Sequence, residues 1–243
     1  MYPYIHIILP SYTVMALIGG FIALYFVYFR LDKFQIQFTS FLFLFFFCVI
    51  GGFIGSKVLF ALTQIPWLVE NFSIKNLILL IPQSGFVFYG GLFGVIFTLL
   101  IMTRKDMDFR NRIFHLSVPA MPLFHSFGRI GCFLSGCCYG KELAAPVFIG
   151  SIELTRFPVQ LVEAAAEFIL FLVILIIDKK KSNVDILKVY LVLYAIIRFF
   201  DEFLRGDEVR GIYFGISTAQ WISLLILLFY AVRMIRERVN LKT

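Results

Sequence analysis

From the first residue to Phe29 the chain carries no Asp, Glu, Lys or Arg, and the same holds from Phe38 to Ser56 and from Asn76 to Thr103. Stretches of this length and character have one stable home. About 20 apolar residues of helix cross the hydrocarbon core of a bilayer, and only helices or closed barrels satisfy their own backbone there. A barrel shows short alternating strands, whereas these runs are continuous. Composition points the same way, with 60% hydrophobic residues and 31 Phe in 243, against roughly half apolar in soluble domains.

The sequence therefore predicts an all-α integral membrane protein, one membrane-embedded domain over residues 1–243, with seven transmembrane helices. Their expected extents are Leu9–Phe29, Phe38–Leu62, Phe86–Met102, Ile113–Phe133, Val159–Ile177, Ile186–Phe203 and Ile216–Met234. The start, "MYPYIHIILPSY", has neither a basic leader nor a small-residue cleavage site, so the first span is expected to stay in place. On one face the connections hold Arg30, Lys33, Arg104, Lys105, Arg110, Arg112, Lys179, Lys180, Lys181, Lys188, Arg233, Arg236, Arg238 and Lys242. The opposite face holds only Lys75, Lys141, Arg156, Arg205 and Arg210. The positive-inside rule then places the N-terminus outside and the C-terminus in the cytoplasm. Short juxtamembrane basic runs of this kind set topology, and no nucleic-acid partner is expected.

Three basic residues, Lys57, Arg129 and Arg198, fall in or beside apolar spans. A charge at mid-membrane costs roughly 2.5 to 3.5 kcal/mol on insertion scales, and such residues face a bundle interior or a wet cavity. In "YAIIRFFDEFLRGDE", Tyr194, Arg198 and Glu202 recur every four residues and share a helix face. Asp201 flanks that stripe and Arg205 extends it. In "HSFGRIGCFLSGCCYGK", His125, Arg129 and Cys132 fall on one helix face. Gly128 and Gly131 there permit close approach, and Gly136 and Gly140 suit a tight exit loop. "RFPVQLVEAAAEF" sets Gln160, Glu163 and Glu167 on about one face. "SGFVFYGGLFG" places Tyr89 before Gly90 and Gly91. Two guanidiniums, Arg129 and Arg198, converging on one group would suit a phosphate, which arginine binds through paired hydrogen bonds. The competing reading is a set of buried ion pairs that only fixes helix packing. Spacing shows each cluster and leaves open whether the clusters meet.

Of the four cysteines, Cys48 lies in an apolar span and reads as packing. Cys132, Cys137 and Cys138 fall near the outer face, where a disulfide, plain packing or a reactive thiol are all open. The spacing C-x4-C-C is not a standard zinc pattern; no metal and no cofactor is expected.

Seven stretches, in order, resemble the bacterial phosphatidylglycerol–prolipoprotein diacylglyceryl transferase family. They are "YTVMALIGG", "GGFIGSKVLFAL", "SGFVFYGGLFG", "FGRIGCFLSGCCYGK", "RFPVQLVEA", "YAIIRFFDEFLRGD" and "STAQWIS". The fourth is similar to the family signature G-R-x-G-N-F-x-x-G-E-x-x-G-R, and the sixth to Y-x-x-x-R-x-x-x-E-F-x-R. The resemblance implies a bacterial plasma-membrane enzyme with its active site toward the outer face. It would transfer the diacylglyceryl group of phosphatidylglycerol to the lipobox cysteine of a prolipoprotein and release glycerol phosphate. By position, Arg129 and Arg198 would hold the phosphate and Glu202 would orient Arg198. Tyr194 and Tyr89 would join the catalytic group. Tyr12, Lys57, Gly90, Gly91, His125, Cys132, Cys137, Gly140, Gln160 and Arg205 would line the substrate site. The chain departs from the pattern at four places. Tyr89 stands for the family's His, Cys132 for its Asn, Cys137 for its Glu, and Lys57 for its Arg. Tyrosine, with an ordinary pKa near 10, is a poor base for the acceptor thiol, and His125 is the candidate substitute. Two further readings stand beside this one: a lipid-handling transferase with a different acceptor, and a lipid-binding or transport protein without catalysis.

Overall fold

The computed structural model describes residues 4–5, 9–65, 69, 73, 87–149, 152–180, 184–206 and 211–240. Its helices include α1 (Ser11–Tyr28), α2 (Phe38–Thr63), α3 (Phe88–Met102), α4 (Met107–Ser117), α5 (Ala120–Ser135), α6 (Val159–Lys180), α7 (Ile186–Asp201) and α8 (Thr218–Asn240). By length and composition α1, α2, α6 and α8 can cross a membrane, and α3 is a shorter apolar helix. Their outward faces are apolar: Phe21, Phe43, Phe46, Phe97 and Leu228 are all more than half exposed. Exposed apolar faces of this kind suit lipid rather than water.

The expected span Ile113–Phe133 is not one helix. α4 ends at Ser117, Val118 and Pro119 form a turn, and α5 begins at Ala120. Pro119 has no N–H to continue the ladder and disfavours helical geometry in the residue before it. Pro122 falls in the first turn of α5, where the missing donor costs nothing. The all-helical expectation also needs amendment, because three short antiparallel hairpins occur: β1 (Tyr4–Ile5) with β2 (Leu9–Pro10), β3 (Glu142–Ile149) with β4 (Ile152–Arg156), and β5 (Ile212–Tyr213) with β6 (Ile216–Ser217). The β3–β4 hairpin falls where the sequence reads as a plain connection. Its strand β4 alternates, with Leu154 buried between exposed Glu153 and Thr155, as a pleated strand does.

The structure divides into two compact units, residues 1–30 with 114–243, and residues 31–113. In the first, the buried residues of α1 are Ser11, Gly19, Ala23 and Val27, a stripe of small side chains that lets α5 come close. Any side chain at Gly19 would overlap Phe127 of α5, and Gly131 of α5 rests against Tyr12 and Met15. Helix α6 packs between α5 and α7. Its buried face changes character along its length. Gln160, Glu163 and Glu167 come first, then Leu170, Phe171 and Ile174, and finally Asp178. Asp178 accepts from Arg30 at 2.5 Å and pairs with His115 Nδ1 at 2.5 Å. This triad ties α6 to the ends of α1 and α4. It lies about 22 Å along α6 from Glu163. Asp178→Ala leaves Arg30 buried without its anion, which costs roughly 3 to 5 kcal/mol. The expected result is a lower unfolding temperature in detergent, with unchanged turnover per folded molecule.

In the second unit, α2 and α3 meet backbone to backbone. A Cβ at Gly51 or Gly55 would run into Gly94 and Gly90 of α3, and the reverse holds. Lys57 lies half-buried on α2 with its ammonium 5.8 Å from the Phe53 ring centre. Tyr89 is buried at the start of α3 and stacks on Phe93 at 5.9 Å. Gly90 lies against the Gly55 carbonyl and Leu59 of α2, where a side chain would collide.

Candidate active site

Two of the clusters visible in the sequence meet in the first unit, and α6 is what joins them. On α5, Arg129 and His125 are one turn apart, and both are buried. On α6, Glu163 and Glu167 are one turn apart and present their carboxylates to that pair. Arg129 Nη2 lies 2.6 Å from Glu163 Oε1, and His125 Nδ1 lies 3.2 Å from Glu167 Oε1. The matched i, i+4 spacing on neighbouring helices makes the two bridges successive rungs. On α7, Arg198 pairs with Glu202 at 2.7 Å. Tyr194 sits one turn before Arg198, its ring 5.7 Å from that of His125 and 5.7 Å from that of Tyr190. Glu163 is within electrostatic reach of Arg129, Arg198, His125 and Arg205 together. Asp201 is likewise within reach of Arg198 and Arg129.

The result is a buried polar core of three guanidiniums, four carboxylates, an imidazole and a tyrosine, contributed by α5, α6 and the end of α7. Buried charges on this scale are costly unless paired, and much of the pairing is internal. Some donor capacity is left over. Arg129 Nε and Arg198 Nη1 are buried and make no hydrogen bond within the described protein. A guanidinium carries five N–H donors and binds an anion through two at once. Each arginine is therefore oriented by a carboxylate on one side and keeps donor capacity on another.

The mouth of this core is built by the exit from α5. Gly136 ends the helix in the left-handed conformation, φ 73°. Its N–H donates to the Phe133 carbonyl and that of Cys137 to the Cys132 carbonyl, at 3.2 and 3.1 Å. This is the two-bond closure that glycine supports at helix ends. Gln160 Nε2 donates to the Cys137 carbonyl at 2.7 Å. Gly140 then pairs antiparallel with Arg205. Lys141 N–H donates to the Leu204 carbonyl, and Gly206 N–H to the Tyr139 carbonyl, each at 3.0 Å. A side chain at Gly140 would collide with the Phe157 and Leu204 carbonyls, and one at Gly206 with the Gly140 carbonyl. The α5 exit loop is thus stitched to the end of α7, and glycine is required because main chains touch. An open pocket of about 250 Å³ beside it is lined by Tyr139, Lys141, Glu142 and Arg156. Arg156 lies over the Tyr139 ring at 4.1 Å. Hydrogen bonds from the thiols of Cys132 and Cys137, and then the positive fields of Arg129 and Arg205, hold the Cys138 thiol below its ordinary range.

The structure gathers Arg129, Arg198, Glu202, Tyr194, His125, Gln160, Arg205, Gly140, Cys132 and Cys137 at this core and its mouth. Tyr12 joins them. It is half-exposed on α1, within electrostatic reach of Cys132 and Arg129. Lys57, Tyr89, Gly90 and Gly91 belong to the second unit. Sequence reading singled out Glu163 and Glu167 as unusual without assigning them partners; their partners are Arg129 and His125. It missed Gly206, whose signal was its place directly after Arg205.

The family model described as prolipoprotein diacylglyceryl transferase matches residues 4–236. The chain belongs to that family. Among curated relatives, the phosphatidylglycerol–prolipoprotein diacylglyceryl transferase of Clostridium tetani is 33% identical over 189 residues, covering 74% of each chain. The enzyme of that name numbered 2 from Clostridium perfringens is 33% identical over 188 residues, 74% of this chain and 72% of its own. The Campylobacter hominis enzyme is 30% identical over 232 residues, 89% of this chain and 82% of its own. That membership makes the chain a diacylglyceryl transferase by class. The two cysteines that depart from the family signature, Cys132 and Cys137, stand beside the arginine-rich core.

Proposed function

We propose that this chain transfers the diacylglyceryl group of phosphatidylglycerol to the lipobox cysteine of prolipoproteins, at the core formed by Arg129 and Arg198. The observation that carries this reading is the pair of buried, carboxylate-oriented arginines with donor capacity to spare. A phosphodiester headgroup carries one negative charge, and in the reaction more charge develops on the phosphate as its bond to the glyceryl carbon breaks. Donors fixed in advance by Glu163 and Glu202 stabilise that developing charge without reorganising. The acceptor sulfur, having lost its proton, forms a thioether bond to the glyceryl carbon. The carbon–oxygen bond to phosphate breaks, and glycerol phosphate leaves with the bonding pair. Tyr194 and His125 wall the core on the side of α7. Tyr12, half-exposed on α1, lines the approach for the lipid. The pinned loop through Gly140, held by Gln160 and Arg205, shapes the mouth.

The whole chain acts as a single membrane-embedded domain in this reading. It crosses a bacterial plasma membrane seven times, with α4 and α5 sharing the fourth passage. The N-terminus lies outside, the C-terminus in the cytoplasm, and the core opens to the outer face. The basic residues around Arg30, Arg104 and Lys179 support that orientation. In that orientation the Asp178 triad lies at the cytoplasmic end and the arginine core at the other.

The test is genetic. In a bacterium depleted of its own transferase, expression of this chain should restore lipid modification of prolipoproteins, seen as a mobility shift and as signal-peptide removal. Expression in the membrane with prolipoproteins still unmodified would refute the reading.

A further inference from the structure

The turn that ends α5 brings three thiols to one point. Gly136 reverses the chain, and Cys138 itself adopts a left-handed backbone, φ 55°. The Sγ atoms of Cys132, Cys137 and Cys138 consequently all lie within 4.8 Å of one another. None forms a disulfide. Cys132 is buried, Cys138 half-buried and Cys137 exposed. Three sulfurs bound to one zinc ion at about 2.3 Å would be separated by roughly 4 Å, so the arrangement found needs only a small closure. Much of it is set by the backbone: the Cys137 N–H is on the Cys132 carbonyl, and the Cys137 carbonyl is held by Gln160. The donor set is all sulfur. Such a set selects thiophilic ions such as Zn²⁺ over Mg²⁺ or Ca²⁺, which take oxygen. Charge is accommodated as well. Three thiolates and a divalent ion leave one net negative charge, and both Arg129 and Arg205 act on the Cys138 sulfur.

We infer that Cys132, Cys137 and Cys138 form a three-thiolate site for a zinc ion, whose fourth position opens on the exposed Cys137 side and takes a thiol. Resting on the function proposed above, that thiol is the acceptor cysteine. On binding zinc the acceptor sulfur gives its proton to solvent, because thiols bind metal as thiolates. The bound thiolate then attacks the glyceryl carbon while Arg129 holds the departing phosphate. Zinc would thereby do the work of a general base. Spacing along the sequence hides such a site, because the ligands converge only through left-handed backbone at Gly136 and Cys138.

The experiment loads purified protein in detergent with Zn²⁺, desalts it and measures metal per chain, then repeats with Co²⁺ to read sulfur-to-cobalt charge-transfer absorption. One equivalent per chain is expected, with those bands. It should be lost in Cys132→Ser and Cys138→Ser and kept in Cys48→Ser. Zinc should also slow alkylation of the three thiols in the unmutated protein, a readout that does not depend on a variant folding. No stoichiometric metal, or a Cys132–Cys137 disulfide in protein taken directly from membranes, would overturn the site. A lipobox peptide should shift the visible cobalt spectrum, and the same peptide with serine for cysteine should not. An unshifted spectrum in metal-loaded protein overturns the fourth-ligand assignment. Metal content and spectra are read without turnover, so a wrong substrate class shows as bound metal without transfer, and a wrong metal site as transfer without metal.

Discussion

Arg129→Ala removes diacylglyceryl transfer, with turnover expected to fall on the order of 10³-fold or more. The size follows from what the side chain does in this site. A fixed donor aimed at developing charge is worth roughly 10² to 10³ in rate, and a guanidinium on a departing phosphate on the order of 10³ to 10⁵. The same substitution strands Glu163, which is 1% exposed and 2.6 Å from the lost group. An unpaired buried carboxylate costs about 3 to 5 kcal/mol, so lost activity alone would not separate catalysis from folding. The double variant Arg129→Ala/Glu163→Gln does. It removes the stranded charge, so its unfolding temperature in detergent should recover while turnover stays low. Arg129→Lys should also remain impaired, because an ammonium keeps the charge but cannot present two parallel donors. Turnover close to normal in Arg129→Ala would remove the phosphate site from the account.

Gly140→Val is the second large effect, and it acts through the main chain. The Gly140–Arg205 pairing brings the α5 exit loop and the end of α7 together, and the neighbouring carbonyls of Phe157 and Leu204 cannot move aside as a flexible side chain would. A branched side chain forces the two strands apart. Arg205 and Cys138 then shift relative to Arg129. Displacements of about 1 Å in a preorganised site cost on the order of 10² in rate. The expected result is at least a 100-fold drop in turnover with helical content by circular dichroism unchanged. The helices α5, α6 and α7 are held by other contacts, so the loss should be confined to the mouth. Gly140→Ala should behave similarly, since the collision is with the first carbon. Normal turnover in either variant would mean the pinned loop plays no part.

The membrane character and the two charged clusters were legible because each is local. Apolar runs declare their helices by length, and Arg198 with Glu202 or His125 with Arg129 declare a shared face by spacing. What joins the clusters was not local. Glu163 and Glu167 are visible as unusual charges in an apolar run, but only the packing of α6 between α5 and α7 shows which cations they meet. The break at Pro119 was signalled by its own residue type and overridden by the apolar run around it. The pairing of Asp178 with Arg30 and His115 escaped notice because charged residues at span ends are ordinary, and a buried triad looks no different in sequence. The three thiols converge through left-handed backbone at Gly136 and Cys138. Glycine at 136 invites that conformation, whereas nothing about Cys138 does. The β3–β4 hairpin was missed for a related reason: only part of β4 alternates clearly, and β3 does not.

The most direct measurement is turnover itself. Purified protein is incubated with phosphatidylglycerol vesicles and a lipobox peptide, and peptide mass and released glycerol phosphate are followed together. The account predicts that the peptide cysteine gains one diacylglyceryl group, that glycerol phosphate appears in equal amount, and that both stop in Arg129→Ala/Glu163→Gln. An unmodified peptide with folded, phosphatidylglycerol-bound protein would contradict it.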